Sequence, residues 1–495
     1  MKVELYTEYP IAALPLGVVL KGEDKYAGLS RTVRNLVLMR WPDGRPCHLV
    51  NQWLMQKALS TEAQDTVKVY AAQLTHTVRY CYESKIDFFD FTDDHFYRFS
   101  TKLEVVKKSN SSHSEEFIGG NHVRAIQQRT LHFLLWIATK HPELSASPLI
   151  GESEACQVVI EYRVNPRNGH REIYHRYLKP PEPDKDDKNV ITEEMIRKLL
   201  DSIFIAHDIE NLPVKSRTKL VADPVLFTAT NNYLYERRIF TIRMMKLTGL
   251  RPEELLEIPL NLNDDVQKSR YIAIPTKKQG FPPPIRKFNI SIQAALNFSR
   301  YLHHREDYLE LLIQRKIIST PPSSILVGER GKPIKKSSIT KEFSRLCKSA
   351  AFGEVRCCLS MFRHRFITRE MHGLLLERFE LDPELKVQWT DALREDICSK
   401  VKSKTGHRQS KSLYHYFHEE YRMITKDKER GTNLNILDEL SDNQDLVIEL
   451  KYLTRLRHDP EAAALVDRIQ NDIDSLYKKL YGGEVVEVIG DDDLV

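Results

Sequence analysis

Thr405-Gly406-His407-Arg408-Gln409-Ser410-Lys411-Ser412-Leu413-Tyr414-His415-Tyr416-Phe417-His418 is the stretch on which the reading of this chain turns. A Gly-His turn feeds a helix that carries Tyr416 nine residues after His407 and a further histidine, His418, two residues beyond it. That offset suggests a nucleophilic hydroxyl held beside a phosphate-binding imidazole. Such a site also needs fixed cations, and two upstream segments supply arginines.

The first is Thr248-Gly249-Leu250-Arg251-Pro252-Glu253-Glu254-Leu255, which reads as a helix end, an arginine and a new helix opened by proline. The second is Ser360-Met361-Phe362-Arg363-His364-Arg365-Phe366-Ile367-Thr368. A phosphodiester is anionic, and attack on it builds a more highly charged pentacoordinate state. Arginine matches two phosphate oxygens with a planar fork that stays charged, so Arg251 and Arg363 form the natural clamp. A tyrosine of ordinary pKa is only about 0.1% phenolate at pH 7, a deficit of roughly 4 kcal/mol. Nearby guanidinium groups and an imidazole offset part of it by favouring the charged transition state.

In this order the segments resemble the tyrosine recombinase (phage integrase) family: arginine, a lysine in a β-hairpin, His-x-x-Arg, Gly-His and a nucleophilic tyrosine. The motif resemblance spans about residues 192 to 425. It implies Arg251, Lys277, Arg363, His407 and Tyr416 as catalytic residues, with Tyr416 the nucleophile and His407 its hydrogen-bonding or proton-relay partner. The hairpin lysine would protonate the departing 5′ oxygen. Ile274-Pro275-Thr276-Lys277-Lys278 offers two candidates, of which Lys277 lies nearer the strand end. Ser360, Lys278, His418 and Glu254 are secondary candidates, and His364 is expected to support the fold. The resemblance also implies double-stranded DNA as partner, a homotetramer on DNA, accessory proteins and a C-shaped clamp made of a helical core-binding domain and a catalytic domain. No metal or other cofactor is implied.

Two departures stand out. Ser360 occupies the position of the box histidine, and serine neither carries charge nor relays a proton at neutral pH as imidazole does. The interval from Arg363 to His407 is also longer than usual, and Glu380 to Ser399 reads as an inserted, partly helical segment. Tyr414 competes with Tyr416 by residue type, but only Tyr416 keeps both the spacing from His407 and the following Phe-His.

The rest of the chain sets the frame. At 495 residues it exceeds one typical core, and 41% hydrophobic with 29% charged residues describes a globular protein. No run of about 18 apolar residues and no signal-peptide pattern occurs, so a cytoplasmic protein with no membrane association is expected, nucleoid-associated in a bacterium. Seven irregularly spaced cysteines do not form a disulfide framework. The net charge of +5 is small, but bases cluster. Lys332, Lys335, Lys336, Lys341, Arg345 and Lys348 face a single acid, Glu342, and Lys400, Lys402, Lys404, Arg408 and Lys411 flank the Gly-His turn without any. Lys332, Lys335, Lys336, Lys341, Lys404, Arg408 and Lys411 are therefore read as DNA contacts.

The expected architecture is mainly α with small β elements (α+β). Residues 1–51 show no sustained period and read as an arm or small subdomain. Residues 52–145 form a helical domain, with a capping box at Thr61 and Gln64 and apolar stripes at Val67, Tyr70, Leu74, Val78, Cys81 and at Val123, Ile126, Thr130, Phe133, Leu134, Ile137. In 150–190, Val158, Ile160, Tyr162 and Ile173, His175, Tyr177 alternate about an Asn168-Gly169 turn, giving a hairpin followed by the linker from Pro180 to Lys188. Residues 191–425 form the catalytic domain, starting at the Thr192 cap, with a long helix through Tyr235, Ile239, Ile242 and Met245 and a hairpin over Tyr271–Pro275 and Arg286–Ile290. The tail, 426–495, carries a stripe at Leu465, Ile469, Ile473, Leu476 and Leu480, read as a core helix before a partner-binding one; the family resemblance would allow it to dock on a neighbouring subunit.

Competing readings are a DNA-binding architectural protein of the same fold with reduced catalysis, a topoisomerase of type IB chemistry, and a metalloprotein using Cys357, Cys358, His364, His407 or His418. Adjacent cysteines are poorly placed for one tetrahedral ion.

Overall fold

The structure, a computed structural model, describes residues 4–20, 26–60, 65–106, 117–145, 147–164, 171–182, 190–277, 279, 282–352, 357–426, 447, 450 and 460–480. The chain divides into two compact units, Met1–Asp187 and Lys188–Val495. Among the described residues helices dominate and each of the four sheets has two strands, so the fold is mainly α with small β elements.

The first unit opens with an antiparallel hairpin, β1 (Tyr6–Leu20) and β2 (Tyr26–Met39), followed by α1 (His48–Leu59), α2 (Asp65–Ser84), α3 (Asp93–Glu104) and α4 (Gly120–Lys140). On α2, Val67, Leu74, Val78 and Cys81 are buried; on α4 the whole predicted stripe from Val123 to Ile137 is. They meet Trp53, Phe88 and Phe99 in one core, where each large apolar side chain contributes roughly 1.5–3 kcal/mol. The β1–β2 hairpin escapes a period-two search because its register shifts between Pro15 and Gly17. Such a shift changes which face points inward.

The strand region differs from its sequence reading. Val158 and Val159 form β4, parallel to β3 (Ile150–Gly151), while β5 (Glu161–Val164) pairs with β6 (Arg171–Tyr174). His175 and Tyr177 lie beyond the strand, because the buried His175 ring turns in to Asp93, its Nε2 2.8 Å from Oδ1. Glu182, read as linker, is tied to the start of α4: its backbone N–H donates to Asn121 Oδ1 at 3.0 Å. Thr61, Gln64, Asn168, Gly169 and the stretch 183–188 lie outside the described residues.

The second unit begins with α5 (Glu193–His207), where Thr192 Oγ1 caps by accepting the Met195 N–H at 3.2 Å. It continues through α6 (Val214–Ala222), α7 (Pro224–Thr248), α8 (Pro252–Leu256), α9 (Val266–Ser269), the hairpin β7 (Tyr271–Pro275) and β8 (Ile285–Asn289), α10 (Ile292–Gln314), α11 (Lys336–Ser349), α12 (Ser360–Leu381), α13 (Asp391–Thr405) and α14 (Tyr414–Lys426). Phe240 of α7 stacks on Tyr301 of α10 with centroids 3.9 Å apart. Arg237 and Arg238 both reach Glu342 of α11, at 2.6 and 2.7 Å. A second core joins the last three of these helices through Ile367, Leu375, Phe379, Leu393, Ile397, Val401, Leu413 and Phe417. The inserted segment thus supplies part of α13, the helix that delivers the Gly-His turn.

The C-terminal helix Pro460–Leu480 corrects the reading of its stripe as a core helix. Leu465, Ile469 and Leu476 are 53%, 38% and 48% exposed, and Ile473 is buried with Val466 and Val447 in a small cluster. Helical spacing is the same for an apolar face that is covered and one that is not. No helix among the described residues is long and apolar enough to cross a membrane.

Candidate active site

Two glycine turns set up the site. Helix α7 ends at Gly249, left-handed at φ +57°, and α13 ends at Gly406, at φ +66°. A Cβ on Gly249 would lie 2.6 Å from Phe366 Cβ, and one on Gly406 2.6 Å from Thr276 Cγ2. Only glycine therefore lets the α7 end pack on α12 and the Gly-His turn pack on the end of β7. Gly406→Ala is expected to cost about 1–2 kcal/mol from the left-handed backbone alone, with the Thr276 contact adding to it. Thermal denaturation reads this directly; an unchanged melting temperature would mean the turn tolerates a side chain.

Next to these turns lies an ionic centre built on Glu254, whose side chain is fully buried. Its Oε1 accepts from Arg251 Nη1 at 2.8 Å and from the Lys277 backbone N–H at 3.1 Å; its Oε2 accepts from Arg286 Nη2 at 3.0 Å and the Arg251 backbone N–H at 3.1 Å. Burial works to raise the Glu254 pKa, but the Arg286 and Arg251 charges outweigh it and hold the carboxyl below its ordinary value. Glu254, a secondary candidate by sequence, organises two arginines. Arg286 was not foreseen at all: nothing in β8 marks it apart from its place after the hairpin turn.

Arg363 is buried in the first turn of α12. It donates to Gly249 O at 3.0 Å and to Thr405 O at 2.9 Å, so a single side chain ties both glycine turns together. Burial, followed by repulsion from Arg251, draws its pKa down to about 9. It remains a cation at neutral pH. Gln279 adds a further link, donating to Gly406 O at 3.2 Å.

His407 sits inside this charge field. Thr405 Oγ1 donates to Val401 O at 2.7 Å and lies 2.6 Å from His407 Nδ1. With the hydroxyl proton used, the Thr405 oxygen must accept, which places the imidazole proton on Nδ1. Nε2 then accepts from Arg363 Nη2 at 3.2 Å. Burial, then Arg363 and Arg251, drive the His407 pKa down to about 3, so the ring is neutral.

Tyr416 is 7% exposed, at the start of α14. Burial raises its pKa to about 12, against the opposing pull of the Arg363 charge. At pH 7 the phenolate is then about 7 kcal/mol away, at 1.36 kcal/mol per unit. To act as a nucleophile the tyrosine would need a proton acceptor. The expected partner was His407, but both His407 nitrogens are engaged elsewhere; the Tyr416 hydroxyl instead meets Nδ1 of His364, with the two rings stacked at 5.8 Å. His364, expected to support the fold, thus contacts the tyrosine, and His407 meets Arg363. The competing Tyr414 points to the surface, its hydroxyl donating to Glu395 Oε2 at 2.7 Å.

The remaining candidates are more peripheral. Lys277 Nζ donates to Glu257 Oε1 at 2.6 Å, and Lys278 lies outside the described residues. Ser360 Oγ is 2.9 Å from Cys358 Sγ at the exposed start of α12. The His418 ring packs on Trp389, centroids 5.0 Å apart, rather than on the arginines. Lys332, Lys335, Lys336, Lys341, Lys404, Arg408 and Lys411 are all exposed, with Lys336 paired to Glu253 and Lys404 to Glu370. Among the described residues no group of His, Cys, Asp and Glu is placed to hold a metal ion.

No family model matches the chain, and no curated protein does. Solved structures do match. The chain is similar to XerA recombinase, at 13% identity over 77% of this chain and 97% of that one, with a TM-score of 0.30. It is similar to XerH site-specific recombinase bound to palindromic difH substrate in a post-cleavage complex, at 13% identity over 73% and 78%, TM-score 0.40. A lambda integrase dimer bound to a COC′ core site matches at 10% identity over 75% and 94%, TM-score 0.40. These neighbours are tyrosine recombinases. At such identities and TM-scores, the chemistry of this chain is decided by its own residues.

Proposed function

We propose that this chain is a site-specific DNA recombinase that cleaves and rejoins strands through a 3′-phosphotyrosine on Tyr416, serving integration or excision of a mobile element. The observation that carries this reading is the convergence of Arg251, Arg286, Arg363 and His407 around one buried carboxylate, with Tyr416 close enough for the Arg363 charge to act on it. Guanidinium groups from separate segments suit the non-bridging oxygens of a phosphodiester. Tyr416 Oη attacks phosphorus and the 5′ oxygen leaves, taking a proton from Lys277. The covalent ester conserves the bond energy, so rejoining needs no nucleotide hydrolysis.

Exchange between two duplexes requires a cleavage on each strand of each site, hence four protomers on DNA. Incubation with a duplex nicked near the exchange point tests the reading. The short cleaved fragment diffuses away, and a protein–DNA adduct accumulates on a denaturing gel. Binding without any adduct would favour a DNA-binding architectural protein, the reading that Ser360 in place of the box histidine supports. Relaxation of any supercoiled plasmid would indicate a topoisomerase.

The exposed bases make the DNA surface. Affinity is therefore expected to fall steeply with salt, with a log–log slope of about −0.9 per phosphate neutralised. Anisotropy titrations over a salt series measure it, and a flat dependence would remove those lysines and arginines from the interface.

A further inference from the structure

We propose that His364 is the proton acceptor for Tyr416, and that it performs from the next turn of α12 the proton transfer that a histidine at position 360 would otherwise offer. This rests on the strand-transfer reading above. Ser360 and His364 are four residues apart on one helix, so they share a face, with Arg363 beside them. Ser360 is exposed and engaged with Cys358 Sγ. His407 holds Thr405 through Nδ1 and Arg363 through Nε2, and neither nitrogen meets Tyr416. Nδ1 of His364 does, and in the tautomer with its ring proton on Nε2 that nitrogen carries the lone pair that accepts from the phenol.

The geometry has independent support. Helices α12 and α14 are also joined by His372 Nδ1 and Glu420 Oε2 at 3.0 Å, and by the packing of Ile367 and Met371 with Phe417 in one core. The register that brings position 364 to Tyr416 does not depend on the His364–Tyr416 bond itself, so variants at 364 should fold.

In the forward step the Tyr416 O–H bond breaks and its proton passes to His364 Nδ1. Tyr416 Oη bonds to phosphorus, the P–O5′ bond breaks, and the 5′ oxygen takes up a proton from Lys277. In rejoining, the 5′ hydroxyl attacks phosphorus and gives its proton back to Lys277, the bond from phosphorus to Tyr416 Oη breaks, and the proton on His364 returns to Oη.

The test compares wild type with His364→Gln and His364→Ala on the nicked duplex, and on one whose scissile 5′ bridging oxygen is sulfur, which leaves without needing a proton. Glutamine can accept the tyrosine hydrogen bond but cannot take the proton. His364→Gln is expected to lose about 100-fold or more in capture rate, on the sulfur substrate as on the oxygen one, while DNA binding and melting temperature hold. Free imidazole should restore His364→Ala at least tenfold. Lys277→Ala, by contrast, should recover on the sulfur substrate. Capture by His364→Gln within twofold of wild type, or a slow His364→Ala that imidazole leaves slow, overturns the assignment. A wild type that forms no adduct on either substrate overturns the strand-transfer reading itself.

Discussion

Tyr416→Phe is expected to abolish covalent capture of DNA while leaving affinity for the duplex unchanged. The substitution removes one oxygen, and that oxygen is the proposed nucleophile. None of the arginines depends on it: Arg363 is held by Gly249 O, Thr405 O and His407, and Arg251 and Arg286 by Glu254. The phenylalanine ring fills the same space among Leu413, Phe417 and the face of α12. Stability should change by about 1 kcal/mol, the net worth of one hydrogen bond. The loss would therefore be purely chemical. Denaturing gels read the adduct and anisotropy reads binding; an adduct from the phenylalanine variant would move the nucleophile elsewhere, with Tyr414 the first alternative to examine.

Glu254→Gln should produce the largest loss of stability of any single change at the site. The carboxylate lies between two guanidinium groups with no exposure of its own. Neutralising it leaves Arg251 and Arg286 facing each other and Arg363 without a counter-charge. Breaking a buried ionic arrangement in this way costs about 3–5 kcal/mol, which lowers melting by on the order of 10 °C for a unit of this size. Capture should fall too, because the clamp loses its fixed orientation. Glu253→Gln is the control: one residue earlier, it pairs with Lys336 at the surface, where an ion pair is worth about 0–1 kcal/mol. Equal melting of the two variants would show that Glu254 does not organise the arginines.

The site was unevenly legible in the sequence. Arg251 could be found because a helix stop, an arginine and a proline-led helix start are encoded within a few residues, and the structure builds that corner with Gly249 left-handed and Pro252 at the first helical position. The Gly406 turn was legible for the same local reason. Arg286 was not, because an arginine in a strand becomes a site residue only when that strand lies against a buried carboxylate. The His364–Tyr416 contact was not legible, because which histidine meets the tyrosine depends on how α12 packs on α14. The β1–β2 hairpin was missed because its register shift breaks the alternation that reveals a strand.

By itself the sequence determined the mainly helical architecture, the small hairpins and the residues proposed to bind and attack a phosphodiester, since these follow from spacing, turn chemistry and residue type along the chain. Only the tertiary structure decided which histidine meets the tyrosine, which carboxylate binds the arginines and whether the tail stripe is covered. Those are contacts between groups far apart in sequence, and their partners are chosen by packing and burial rather than by any local pattern.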